Sequence, residues 1–195
     1  TTAGENLVLT SAIMTGPKAC FARGGPGAKM GSLRLKAVVL QGQTHDFDTA
    51  QPYKGYNKTI ATKLLGTSVV KNALRTMGTP FLYRPSRILG AMGTKNNQET
   101  TWTDRLDAEN ITPYRPGMAG CFRCPVNCRP LNDLHGDPAD KYGRGDGPEY
   151  VTLGKFGPNL GIDRLESVIR LNNICNDLGL DTASAGSMIA WSMEL

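Results

Sequence analysis

The order of apolar and polar residues along this chain predicts short strands near its start and helices through most of the rest. From Glu5 to Met14 an apolar run, in which Leu7 and Leu9 alternate with their neighbours, reads as a strand. Gly16-Pro17 then signals a turn. Leu35 to Leu40 (LKAVVL) reads as a second strand, ended by Gly42. Between them lies the glycine-rich loop Arg23-Gly24-Gly25-Pro26-Gly27, with a short helix opening from it over Ala28 to Leu33. Thr49 to Leu65 predicts a helix, because Tyr53, Tyr56, Ile60 and Leu64 recur at helical spacing. Ser68 to Met77 predicts another, burying Val69, Val70, Ala73 and Leu74 and stopped by Gly78. Thr79 to Pro116 reads mostly as loop, with a short helix near Ser86 to Met92. The clearest helical period runs from Asp163 to Leu178. Asp163 and Glu166 pair at its start, Leu165, Val168, Ile169, Cys175 and Leu178 line one face, and Gly179 follows as the stop. A last helix begins near Ser184. Its pattern of Met188, Ile189, Trp191, Met193 and Leu195, like residues Thr1 to Ala12, reads as the interior of a domain. An internal segment of a longer protein is therefore expected, with a complete small protein as the alternative.

Composition changes this picture little. A chain of 195 residues holds one large domain or parts of two. Its 23 Gly and 12 Pro predict many turns and less regular structure than average. The 22 Lys and Arg exceed the 17 Asp and Glu, but they are dispersed singly, as on an ordinary solvated surface. A phosphate-bearing cofactor or an acidic protein is the next reading of that charge. Nucleic acid is not expected, because no basic helix or aromatic–basic interleaving is present. No apolar run approaches the roughly 20 residues of a membrane span. With no basic-then-apolar leader visible, a cytoplasmic setting is expected.

Chemistry concentrates in the cysteines. Three of the five form Cys121-Phe-Arg-Cys124-Pro-Val-Asn-Cys128. A loop of this spacing can fold three thiolates toward one point and suits an iron–sulfur cluster or a metal ion. Disulfides are the poorer reading, since three thiols so close cannot pair evenly. A zinc site would draw on His135 as a fourth ligand. A [4Fe–4S] cluster needs a fourth thiolate. Cys20 and Cys175 are candidates, but Cys175 reads as core, and a ligand beyond Leu195 is the preferred expectation.

Weaker signals accompany the cysteines. The loop at Arg23 could present backbone N–H groups and a fixed positive charge to an anion, or be a plain turn. Asn176-Asp177-Leu-Gly-Leu-Asp181-Thr182 places polar groups around a helix-to-helix turn, where simple capping by Gly179 and by Asp181 or Thr182 would also account for them. Glu149 sits in the tight Gly147-Pro148-Glu149-Tyr150 turn, where a solvated loop glutamate is the bland reading.

Together these pieces resemble one family, the tungsten- or molybdenum-dependent aldehyde ferredoxin oxidoreductases. The resemblance rests on "GENLVLTSAIM", "ARGGPGAKMGSLRLKAVVLQG", "GCFRCPVNC", "GPEYVTLGKFGPNLGI" and "NNICNDLGLDTASAGSMIAWSMEL", in the family's order. It implies an α+β fold. Residues 1–42 would be the C-terminal part of a β-rich, pterin-binding N-terminal domain. Residues 43–195 would be the start of a mainly α-helical, loop-rich middle domain. Cys121, Cys124 and Cys128 would be three of the [4Fe–4S] ligands, the fourth lying in a later domain. Ala19, Cys20, Ala22 and Arg23 match a first pterin-binding stretch, with Ala19 where the family often has Arg. Asn176, Leu180 and Asp181 match a second, with Asn176 where it often has Asp. Glu149 matches a glutamate near the metal. The resemblance implies oxidation of aldehydes to carboxylic acids at a bis-pterin tungsten or molybdenum centre, with Mg²⁺ bridging the pterin phosphates. Electrons would leave through the cluster to a ferredoxin-like acceptor or to partner Fe–S or flavin subunits, in an oligomer. The rivals are a superfamily relative reducing aromatic acyl-CoA thioesters, a zinc-stabilised binding module, and a pure electron-transfer subunit.

Overall fold

Small residues set the packing of the N-terminal part. In the computed structural model, which describes residues 1–16, 19–42 and 51–195 (for 51–54 the backbone alone), the chain opens with helix α1 (Thr2–Glu5). The Thr1 hydroxyl caps it, accepting the Gly4 N–H at 3.3 Å. Strands β1 (Ile13–Met14) and β2 (Cys20–Phe21) pair antiparallel, Ile13 opposite Phe21. Helix α2 (Pro26–Ser32) then starts from left-handed Gly25, with proline at its N-terminus, where the missing N–H costs nothing. It crosses α1 so closely that a Cβ on Gly31 would collide with the Gly4 carbonyl oxygen. Gly31→Ala should therefore destabilise the fold by about 3 kcal/mol, the upper range of overpacking costs. Chemical denaturation of the wild type and variant would measure it, and an unchanged midpoint would contradict the contact.

Of two expected strands, one forms only at its end and the other not at all among the described residues. The segment expected as a strand from Glu5 enters as helix and turn, with Leu7 left-handed (φ 56°) and Leu9 81% exposed, so their alternation marks no buried face. Only Ile13–Met14 of that stretch joins a ladder. Leu35 to Leu40 has no strand partner among the described residues, and Val39 and Leu40 are almost fully exposed. The expected turn residue Pro17, and Thr49 and Ala50 of the expected helix, lie outside the described residues.

Helices dominate the middle of the chain: α3 (Gln51–Gly66), α4 (Arg75–Met77) after a wide turn over Val70–Leu74, α5 (Tyr83–Ile88) and α6 (Ala108–Ile111). The stripe Tyr56, Ile60 and Leu64 on α3 is present but exposed. Of the residues expected to be buried over 68–77, Val70 is buried and Val69 is not. Short strands β3 (Met118–Ala119), β4 (Arg129–Asp133) and β5 (Arg144–Asp146) form an antiparallel sheet with β4 in the centre. Helices α7 (Tyr150–Phe156), α8 (Leu165–Leu178) and α9 (Thr182–Glu194) complete the chain.

The core lies under α8. Leu165, Val168, Ile169 and Cys175 pack with Tyr83, Met92, Leu106, Ile111, Leu153 and Phe156. The predicted stop holds: Gly179 is left-handed (φ 76°), and its N–H and that of Leu180 both reach the Cys175 carbonyl. The predicted start does not. Arg164 is the N-terminal flanking residue; Asp163 instead pairs with Arg105, and Glu166 takes the Tyr114 hydroxyl. That hydroxyl is the chief reason the Glu166 carboxyl is held below the usual range. About half of the described residues are helical once the short, tight and wide helical turns are counted with the α-helices. The expectation of less regular structure than average fits the few, short strands, while glycines such as Gly4, Gly27 and Gly31 sit inside helices as packing contacts rather than as breaks. The mixture of helices with small sheets is compatible with the expected α+β class. Among the described residues, no helix is long and apolar enough to cross a membrane.

Candidate functional site

The three clustered cysteines occupy the loop that joins β3 to β4. Ala119 pairs with Arg129 and Met118 with Pro130, so the strands bring both ends of the loop together. Within it the Cys124 N–H donates to the Cys121 carbonyl at 3.0 Å. Arg123 (φ 57°) and Asn127 (φ 53°) are both left-handed, each immediately before a cysteine. Asparagine tolerates that conformation; arginine seldom adopts it, and its presence marks a locally constrained loop. Cys121 is exposed, Cys124 and Cys128 are half-buried, and all three are free thiols. Burial, with a smaller contribution from the nearby Glu149 carboxylate, pushes the Cys128 thiol above its usual value.

Convergence on one point is not what the loop achieves. Among the described residues, no three His, Cys, Asp or Glu side chains are grouped to hold a metal ion. His135, expected as a zinc partner, instead has its Nε2 against the Pro113 carbonyl at 3.0 Å and its Nδ1 3.8 Å from Asp133. The arrangement therefore offers no Cys₃His site. A cluster makes a different demand, since each of its irons takes its own thiolate. Three free thiols on one constrained loop fit that donor set.

Glu149 lies beside this loop, at the N-terminus of α7. Its carboxylate accepts the Thr79 hydroxyl, and Thr79 Oγ1 accepts the Tyr150 N–H at 3.0 Å. The backbone leading to it is gripped by buried asparagines. Asn172 and Asn176 donate to the Asp146 carbonyl at 2.7 and 3.1 Å, and Asn132 donates to the Gly147 carbonyl at 3.0 Å. Asn173 exchanges hydrogen bonds with Asn132 in both directions and reaches the Tyr142 carbonyl. Arg129, next to Cys128, lies 3.2 Å from Asp146 and ties the cysteine loop to the same segment. Asn173→Ala would strip several buried partners at once. A loss of about 3 kcal/mol is expected, from the cost of leaving buried polar groups unpaired, and equilibrium unfolding would measure it.

The two stretches expected to bind pterin meet in space. Arg23 Nε is 3.4 Å from Asp181 Oδ2. The Asp181 N–H donates to the Thr10 carbonyl at 3.0 Å, the Ala12 N–H to the Gly179 carbonyl at 2.7 Å, and Ser11 bridges Leu180. Asp181 also caps α9, its carboxylate accepting the Ser184 N–H and hydroxyl. Burial works to raise its pKa, but Ser184 and Arg23 together outweigh it and hold the carboxyl low. The capping reading of Gly179 and Asp181 is thus realised, and the pairing with Arg23 comes in addition to it. Arg23 stays 69% exposed, so most of its guanidinium is available to an anion, as a phosphate-bearing group would need. Ala19 and Cys20 are exposed and Ala22 is half-buried beside it. Asn176 lines a cavity of about 430 Å³ together with Asn173, Asp146, Tyr142, Thr1 and Met14.

Sequence reasoning missed Thr79, Asn132, Asn172, Asn173 and Arg129. One signal was readable: Asn172 and Asn173 continue the apolar stripe of α8, four residues after Val168 and Ile169, where a polar pair must find partners.

Comparison with known proteins decides the lineage. The model of aldehyde ferredoxin oxidoreductase domains 2 and 3 matches residues 56–195, and that of the family's N-terminal domain matches residues 1–42. The chain belongs to the aldehyde ferredoxin oxidoreductase family. It is 34% identical to a tungsten-containing aldehyde ferredoxin oxidoreductase of Pyrococcus furiosus, over 99% of this chain and 32% of that protein. A protein of the same description from Thermococcus kodakarensis is likewise 34% identical, with the same coverage. An aliphatic sulfonate oxidoreductase, WOR-like subunit, of Pyrococcus furiosus is 29% identical over 98% of the chain and 31% of that protein. The chain thus spans about a third of the length of the curated relatives it matches. In fold, the chain is similar to the active site complex BamBC of benzoyl coenzyme A reductase. The TM-score is 0.71 at 24% identity, covering all of this chain and 31% of that one.

Proposed function

We propose that this segment serves an enzyme that oxidises aldehydes to carboxylic acids. Aldehyde and water give acid, two protons and two electrons. The reading is carried by one observation: Arg23 and Asp181, 158 residues apart in stretches that each resemble a pterin-binding stretch of the family, are in contact. Family membership and the tungsten-containing relatives support it. When bound, a bis-pterin tungsten or molybdenum centre supplies the two-electron oxidation, and a [4Fe–4S] cluster supplies one-electron transfer onward.

The chain's own residues do the rest. Arg23 offers a fixed cation to a pterin phosphate, with the backbone of Ala19, Cys20 and Ala22 beside it. Asn176, Leu180 and Asp181 would hold the second pterin. A Mg²⁺ ion would accompany the pterin phosphates; among the described residues no three His, Cys, Asp or Glu side chains are grouped to hold it. Cys121, Cys124 and Cys128 give three thiolates to the cluster. Glu149 accepts a proton from the water that adds to the carbonyl carbon, a role contributing on the order of 10² to 10⁴ in rate. Residues 1–42 belong to the N-terminal cofactor domain in this reading and 43–195 to the middle domain. A ferredoxin-like protein, or Fe–S or flavin subunits, would collect the electrons from a cytoplasmic oligomer.

A metal inventory with a dye-reduction assay tests the proposal. Purified holoenzyme should contain iron with tungsten or molybdenum, and should reduce a viologen when given an aldehyde. It should leave an aromatic acyl-CoA thioester unconsumed when given a reductant. Iron-free, colourless protein without aldehyde-dependent reduction would overturn it.

A further inference from the structure

Glu149 is oriented by a residue outside every sequence motif. The Thr79 hydroxyl hydrogen-bonds the Glu149 carboxylate, and its oxygen receives the Tyr150 backbone N–H at 3.0 Å. A threonine hydroxyl has one proton to give and lone pairs with which to receive. The Tyr150 N–H occupies one lone pair, and an ionised carboxylate has no proton to give, so the hydroxyl proton is directed to Glu149 Oε2. The direction of this bond is therefore fixed by chemistry. Glu149 is held as an acceptor at that oxygen, which restricts the orientations of its carboxylate.

Thr79 is itself well anchored. It opens the turn Thr79–Leu82 directly after Gly78, whose φ is 74°. Gly78 lies against the cysteine loop, where a Cβ would come 2.7 Å from the Cys128 carbonyl oxygen. The backbone before Thr79 thus touches the cysteine loop while its side chain holds the carboxylate. We propose that Thr79 is a positioning residue for Glu149, setting the orientation in which the carboxylate takes its proton. This rests on the reading of Glu149 as the proton acceptor.

A double-mutant cycle in the holoenzyme tests it, with kcat and KM for an aldehyde measured in each variant. Thr79→Val keeps the shape and removes the hydroxyl. It should lower kcat by about tenfold or more with KM nearly unchanged, the sign of an interaction expressed in the reaction step. Thr79→Ser should restore most of the rate. In the Glu149→Gln background, Thr79→Val should cost no more than about twofold, because its effect acts through the missing carboxylate. Should Thr79→Val fail to fold, Thr79→Ala takes its place in the cycle, since it leaves room for a water at the Tyr150 N–H. Equal losses in both backgrounds, or no rescue by serine, would overturn Thr79 alone. Full activity in Glu149→Gln would overturn the reading of Glu149 and this proposal with it.

Discussion

Cys124→Ala in the holoenzyme is expected to abolish the broad visible absorption of an iron–sulfur cluster and to cut delivery of electrons to a protein acceptor by more than about a hundredfold. Loss of an outer partner of a metal site alone costs on the order of 10 to 100-fold, and a thiolate ligand is more than that. Cys124 is the informative position. It is half-buried, its N–H is tied to Cys121, and the left-handed residue before it fixes where it lies. A single turnover of aldehyde should survive in this variant, because the substrate oxidation and the onward transfer use different groups. Iron content and the absorption spectrum check the first half, and rapid-mixing with aldehyde alone checks the second. An unchanged spectrum would remove Cys124 from the ligand set.

Glu149→Gln tests the other half of the chemistry. The side-chain carbonyl of glutamine can still accept the Thr79 hydroxyl, so the position should hold and metal and iron content should match the wild type. What disappears is the capacity to take a proton. Turnover should fall on the order of 10² to 10⁴. Steady-state kinetics beside elemental analysis measures this, and full activity at full metal content would exclude Glu149 as the proton acceptor.

The sequence made some parts legible because they depend on neighbours along the chain. The period of α8, the stop at Gly179 and the cap at Asp181 are local features, and each formed where its residues predicted. The C-x2-C-x3-C run is equally local, and it occupies one loop. Strands were harder, because a strand exists only through a partner. Leu35 to Leu40 has the right residues, yet no ladder meets it among the described residues. The asparagine network was illegible for a related reason. Asn132 and Asn173 stand 41 residues apart, and nothing about either alone announces the other. Nor does any spacing connect Thr79 to Glu149, 70 residues later.

Strand β4 begins immediately after Cys128 and alternates in burial, with Pro130 and Asn132 inward. A shift of one residue in its pairing would reverse every side chain. Arg129 and Asp133 would be driven inside, and Asn132 would leave the Gly147 carbonyl. One insertion in this strand would thus displace the cysteine loop and the segment leading to Glu149 together. The three cysteines and the glutamate thus share one reading frame of β4.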